Sequence, residues 1–129
     1  MRMKNQAFSD QSTALVSIAS NASLDTFAHA TGTAPGNRRF RTNIIINADK
    51  AFAEADMIGK TFQCGNALMV IQKPVGRCAA INVDPITAVR SNNDYVRLMR
   101  EKFGHSNLGV FAKIVKDGKI KVGDVLRPV

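Results

Sequence analysis

The 129 residues suffice for one domain with a single core and are too few for two. Hydrophobic residues make up 45% and charged residues 22%, an ordinary globular balance, and no apolar run approaches the roughly 20 residues of a membrane-spanning helix. The net charge of +8 favours an anionic partner: nucleic acid, a phosphorylated small molecule or an acidic protein. Nucleic acid is the least favoured of these, because the basic residues are scattered and neither an RNP-like aromatic pattern nor a DNA-reading helix is present.

Two cysteines cannot make a disulfide framework, and the opening "MRMKNQAFSD" has basic residues with no apolar stretch behind them, unlike a secretory signal. The expected location is cytoplasmic. Residues 1–11 are polar and are expected to be flexible. "TALVSIAS" reads as a first strand. "SNASLDTFAHATG" reads as a helix capped by Ser20 or Asn21, with Leu24, Phe27 and Ala28 on one face and Gly32 at its end. "TAPGNRR" is a loop, and "TNIIIN" a short buried strand. "DKAFAEADMIG" is an acidic helical turn. "KTFQCGNALMVIQKP" and "RCAAINVD" read as two strands separated by a Pro-Val-Gly break.

"SNNDYVRLMREKFG" is the clearest helix, with an Asn or Ser cap, Asp94 in its first turn, Tyr95, Leu98, Met99 and Phe103 on one face, and Gly104 ending it. The chain closes in "LGVFAKIV-KDG-KIKVGDVL", where Asp117-Gly118 predicts a hairpin and Gly123-Asp124 a second bend. Many short strands with a few connecting helices predict a mainly β, α+β fold with a small barrel.

Most common catalytic signatures are missing. His29 and His105 fall in no zinc-binding spacing, and GxGxxG, GxxxxGK[ST] and GxSxG are absent. What remains are two cysteines and several arginines. Cys64, inside an apolar strand pattern, reads as a core residue. Cys78 follows Arg77 and lies across a turn from Lys73, and positive charge favours the thiolate, which is both nucleophile and soft metal ligand. A buried filler and a reactive thiolate remain open readings for Cys78. "RRFRTN" as an extended segment would put Arg39 and Arg41 on one face and Phe40 on the other. That face is either a solvated edge or a guanidinium fork for a phosphate.

Three stretches, "RRFRTNIIIN", "AFAEADMIGKTFQCGNALMVIQKPVGRCAAINVDPIT" and "LGVFAKIVKDGKIKVGDVL", together resemble the MOSC domain. That domain forms the C-terminal part of eukaryotic molybdenum-cofactor sulfurases and occurs in amidoxime-reducing proteins and many small bacterial proteins. An FRPN-type strand, an acidic turn, an "IG" bend, an "RC…VDP-TG" segment and a terminal "G-I-VGD" element follow in the family's order. The resemblance covers residues 12–127 and implies a closed MOSC-type β-barrel with peripheral helices.

The resemblance further implies that Cys78 is the "RC" cysteine, a molybdenum ligand beside the pterin dithiolene or, alternatively, a carrier of sulfane sulfur. Arg41, with Arg39 and Asn43 in the same motif, is implied at the anionic phosphate end of the molybdenum cofactor, and Gly76 and Arg77 at the pterin. Ser12 and Thr13 are the counterparts of upstream contacts in a stretch that departs from the family's "D-x-x-P-L-L". The implied partners are a cysteine desulfurase or an electron donor, with no membrane and no pyridoxal phosphate site. A bare binding module that keeps the barrel without the chemistry is the other reading. Thr42 replaces the motif's proline, Phe111 a tyrosine, and "VDPITAVR" loses the glycine of "VDP-TG". The separate N-terminal barrel domain of two-domain relatives has no counterpart, so an open half-site is expected unless a partner closes it.

Overall fold

The computed structural model describes residues 3–6 and 15–129. Seven strands form one sheet: β1 (Met3–Gln6), β2 (Leu15–Ser20), β3 (Ile44–Ile46), β4 (Thr61–Cys64), β5 (Ala67–Gly76), β6 (Asn107–Lys116) and β7 (Arg127–Pro128). Two helices accompany them, α1 (Asn21–Thr31) and α2 (Tyr95–Phe103). The strand order is β1-β3-β2-β6-β5-β4-β7. Among the described residues no helix is long and apolar enough to cross a membrane.

The long central pair β5–β6 organises the sheet, and all neighbours are antiparallel except β2 and β3, which run parallel because α1 carries the chain back between them. β1, in the stretch expected to be flexible, pairs with β3. The barrel is not closed: β1 and β7 lie at opposite edges, leaving an open half-barrel. A two-residue strand such as β7 offers too short a ladder to complete the ring.

Alternation along the strands feeds two cores. Ile44 and Ile46 enter a cluster with Ile18, Phe62, Met69, Ile71 and Val110, while Ile45 faces the opposite way, towards Leu24, Phe27, Tyr95 and Met99. Three isoleucines in a row are therefore what a strand buried on both faces needs. α1 begins where Ser20 accepts from the Ser23 N–H and ends at left-handed Gly32. α2 begins at Asp94, whose side chain accepts from the Arg97 N–H, so the cap is Asp94 and not a preceding Asn or Ser.

Glu54 is 1% exposed and ties the 3-10 helix Ala53–Met57 to the start of α1. Its carboxylate accepts from the Ser20 N–H, from Ser20 Oγ at 3.2 Å and from Ser23 Oγ at 2.7 Å. A carboxylate at a helix N-terminus meets unpaired N–H donors and the positive end of the dipole, which offsets its desolvation.

Four local expectations are corrected. "KTFQCGNALMVIQKP" is a hairpin, β4 and β5, turning at left-handed Gly65. The Pro-Val-Gly stretch does not break the strand: β5 runs through Pro74 to Gly76, where irregular register against β6 tolerates a residue without an N–H. "RCAAINVD" is not a strand; Ala79–Asn82 coil into a 3-10 helix that buries Ile81 and Asn82 against α2. Asp117-Gly118 makes no hairpin, since β6 is flanked by β2 and β5 and the chain beyond it runs as irregular backbone. Gly118 does not have a left-handed φ; a Cβ there would lie 2.3 Å from the Asn66 carbonyl carbon, so glycine serves a backbone crossing.

Candidate functional site

Side chains alternate as β5 ends, and this separates Arg77 from Cys78. Arg77 turns into the protein. Its Nε and Nη2 donate to the Leu108 carbonyl at 3.0 and 2.7 Å, its Nη1 donates to the Phe40 carbonyl at 3.2 Å, and the guanidinium stacks 5.0 Å from the Phe40 ring centre. Burial pulls its pKa down to about 10, which leaves it charged at neutral pH. Arg77 is thus a brace between β6 and the 37–41 turn. Cys78, next in the chain, is extended and exposed.

The 37–41 segment is a turn and not the expected extended strand. The Asn37 carbonyl accepts from both Phe40 and Arg41 N–H groups, and the Asn37 side chain holds Thr42 by its N–H and its carbonyl. Arg41 takes a left-handed φ of 52°. Phe40 is buried edge-on against Phe27, with ring centres 4.8 Å apart. Arg39 donates through Nη1 to the carbonyls of Ile81 and Val83 at 2.7 and 3.2 Å and lies over the Tyr95 ring. Arg38 and Arg41 are exposed and make no ion pair among the described residues.

Between this turn and residues 76–88 lies a cleft of about 430 Å³, within the range of small-molecule sites. Arg38, Arg39, Arg41, Gly76, Arg77 and Cys78 all line it. The far wall is the loop 83–90, held by an antiparallel bridge between Val83 and Arg90 and by Asp84. Asp84 Oδ1 accepts from the Ile86 and Thr87 N–H groups at 2.8 and 3.0 Å, and these bonds, Thr87's first, hold its carboxyl below the usual range. Ala88 adopts a left-handed φ of 59°, at the position where the family's "VDP-TG" has glycine.

Asn43 lies outside the cleft lining; its Oδ1 accepts from the Ser17 N–H at 2.8 Å and from Ser17 Oγ at 3.0 Å, extending the β2–β3 ladder. Gly76 lines the cleft, but a Cβ there would meet Asn107 Oδ1 at an ordinary 3.7 Å. Ser12 and Thr13 lie outside the described residues. Cys64 is fully buried, and burial first, then the nearby Asp124 charge, pushes its thiol up to about 11. Arg38 and Asp84 line the cleft without having been singled out. The signal for Arg38 was the "RRFR" run, but which of its arginines stays free depends on the turn.

The sequence matches the MOSC domain over residues 5–127. The chain belongs to the MOSC domain family. No curated protein sequence matches it. Its fold is similar to the crystal structure of YiiM from Geobacillus stearothermophilus, with a TM-score of 0.63 and 16% identity over 88% of this chain and 53% of that one. It is similar also to YiiM from Escherichia coli, with a TM-score of 0.65 and 16% identity over 100% of this chain and 70% of that one. A third structure, of a protein described as hypothetical, gives a TM-score of 0.66 at 16% identity over 99% and 60%. This MOSC domain thus spans 53% to 70% of the length of these neighbours, and at such identity the likeness is one of fold.

Proposed function

We propose that this MOSC domain binds the molybdenum cofactor in the Cys78 cleft, with Cys78 as the thiolate ligand of the metal. The observation that carries this reading is the exposed Cys78 thiol inside a cleft lined by arginines, while the other cysteine is sealed in the core. The donor set fits the group. Among the described residues no cluster of three or more His, Cys, Asp or Glu side chains could hold a metal alone, so a metal bound at Cys78 takes its other ligands from elsewhere, as a pterin dithiolene supplies them. Arg38 and Arg41 have free guanidinium groups for the phosphate end. Arg39 and Arg77 shape the cleft through their bonds to backbone carbonyls.

When bound, the cofactor would supply oxygen-atom and electron exchange with a substrate. The chain's own part is to hold the thiolate at an open face, to place cations around it, and to keep Asp84 and its loop fixed as the opposite wall. A second reading rests on the same exposure. The Cys78 thiolate could attack the terminal sulfur of a donor's persulfide, forming a new S–S bond as the donor's thiolate leaves.

The test is metal analysis and pterin fluorescence on protein made in a cofactor-producing host, for wild type, Cys78→Ser and Arg41→Lys. Molybdenum and pterin should co-purify with wild type, metal should be lost in Cys78→Ser, and pterin retention should fall in Arg41→Lys, whose point charge loses bidentate geometry. A trapped persulfide without molybdenum would favour sulfur transfer. Absence of both would leave the bare binding module.

A further inference from the structure

The loop 83–90, the far wall of the Cys78 cleft, turns apolar side chains outward. Every residue from 85 to 90 is exposed, Ile86 by 74% and Val89 by 63%, with Pro85 and Ala88 beside them. One exposed apolar side chain is ordinary, whereas two branched ones and a proline in a single projecting turn form a patch.

The backbone of this turn is prepared for contact. Each N–H from 84 to 89 finds its acceptor inside the loop. Asp84 donates to the Val89 carbonyl and Ala88 to the Asp84 carbonyl, both at 2.9 Å, while Ile86 and Thr87 donate to Asp84 Oδ1 and Val89 to Thr87 Oγ1 at 3.3 Å. Pro85 has no N–H. The tip can therefore lose water without stranding a donor, and bonds that already fix it leave little ordering to be done on contact.

Cations accompany the tip on three separate elements. Arg38 and Arg41 face it across the Cys78 cleft, and Arg90 closes the loop in the bridge to Val83. A second cleft, between the Ala79–Asn82 helix and the start of α2, sets Arg97 and Arg100 beside Arg90. The acids nearby are occupied: Asp84 by the loop's own N–H groups, Asp94 by the Arg97 N–H, and Glu101 by the Arg97 guanidinium. Arg90 and Arg100 are exposed and make no ion pair among the described residues. A projecting apolar tip needs a matching socket in a folded partner, but acyl chains fit any outline. Cations spread over several elements likewise suit a continuous anionic surface better than one acidic patch.

We propose that the 83–90 loop is a docking tip for an anionic phospholipid surface. Pro85, Ile86 and Val89 enter the boundary between headgroups and acyl chains, and Arg90 and Arg100 meet the lipid phosphates. Such contact needs no spanning helix, does not depend on the cofactor reading, and replaces the expectation that the chain has no membrane partner. It sets the mouth of the Cys78 cleft, whose wall the loop forms, against the headgroup layer.

The test mixes the full chain with vesicles of phosphatidylcholine, alone or with phosphatidylglycerol, and reads binding by sedimentation and fluorescence. The chain has no tryptophan, so Ile86→Trp places a single reporter at the tip. Its emission should shift blue and be quenched by brominated acyl chains in the anionic vesicles and not in the neutral ones. Ile86→Ser with Val89→Ser, which keeps every N–H bond of the loop, should cut partitioning about tenfold or more. Arg90→Gln with Arg100→Gln should cut it by about tenfold. Val122→Ser, a change at a valine 60% exposed in another segment, should leave it as in wild type. Binding that ignores the serine pair and vanishes in salt would be the net charge of +8 acting alone, and would overturn the proposal. So would a reporter that stays in water, or one that shifts equally with soluble poly-glutamate, the outcome expected of an acidic protein partner.

Discussion

Ala88→Gly should make the protein more stable, although it removes a methyl group. Ala88 is held at φ 59° by the loop around it: its N–H donates to the Asp84 carbonyl at 2.9 Å, and the Asp84 N–H donates to the Val89 carbonyl at 2.9 Å. An L-residue with a Cβ pays roughly 1–2 kcal/mol in this region, whereas glycine enters it freely. Glycine also gains unfolded-state entropy, which returns about 0.4–1 kcal/mol. The net stabilisation is therefore about 0.5–1 kcal/mol. For 129 residues, unfolding entropy near the midpoint turns that into a rise of roughly 2–4 °C. Thermal and urea unfolding of both proteins would check it, with hydrogen exchange at residue 88 reporting whether the loop stays closed. A midpoint that is unchanged or lower, with the amide still protected, would refute the idea that the left-handed position is strained by alanine.

Four further outcomes follow from the same geometry. Gly118→Ala should destabilise by about 1–3 kcal/mol, because its Cβ would overlap the Asn66–Ala67 backbone; an unchanged urea midpoint would remove the crossing. Thr42→Val should stabilise by about 1 kcal/mol, since Thr42 Oγ1 is buried without a partner while the backbone bonds to Asn37 survive; a lower midpoint would count against it. Arg77→Lys should lower stability by about 2–4 kcal/mol by losing the fork on the Leu108 and Phe40 carbonyls, and a midpoint equal to wild type would leave Arg77 free for a ligand. The Cys64 thiol, raised from 9.0 to about 11, favours its neutral form when folded. Its contribution is complete below pH 9 and is lost between 9 and 11, by up to about 2–3 kcal/mol, so Cys64→Ala should lose less stability than wild type between pH 8 and pH 10.5.

Elements whose determinants are local were legible in the sequence. Both helices carry their own caps, a Ser20 or Asp94 side chain at one end and a left-handed glycine at the other, and periodicity marks the faces they bury. The isoleucine run announced a strand covered on both faces. The failures occur where distant backbone decides the outcome. "RCAAINVD" has the composition of a strand, yet Asn82 reaches the Tyr95 N–H and Ile81 enters the helical core, which favours a coiled turn. Asp117-Gly118 has hairpin chemistry, but glycine is required there by Asn66, a residue 52 positions earlier in the chain by their numbers. No local rule separates a glycine needed for its φ from one needed for its missing Cβ.

The candidate site shows the same division within a single residue type. Seven arginines and one cysteine line two clefts, and charge alone treats the arginines as equivalent. Carbonyl groups make the distinction. Arg39 faces the Ile81 and Val83 carbonyls, and Arg77 faces those of Leu108 and Phe40. Arg77 directs all three of its guanidinium nitrogens at the protein and has no fork left for a phosphate, whereas Arg39 commits Nη1 alone. Arg38 and Arg41 face no such carbonyls, so their charge remains available to a ligand. The left-handed φ of Arg41 belongs to this arrangement: the residue before a proline is pushed to extended geometry, and a proline could not donate to Asn37. Thr42, the departure from the family's "FRPN", is therefore what permits this turn, and the turn is what leaves Arg38 and Arg41 beside Cys78 with their donors free.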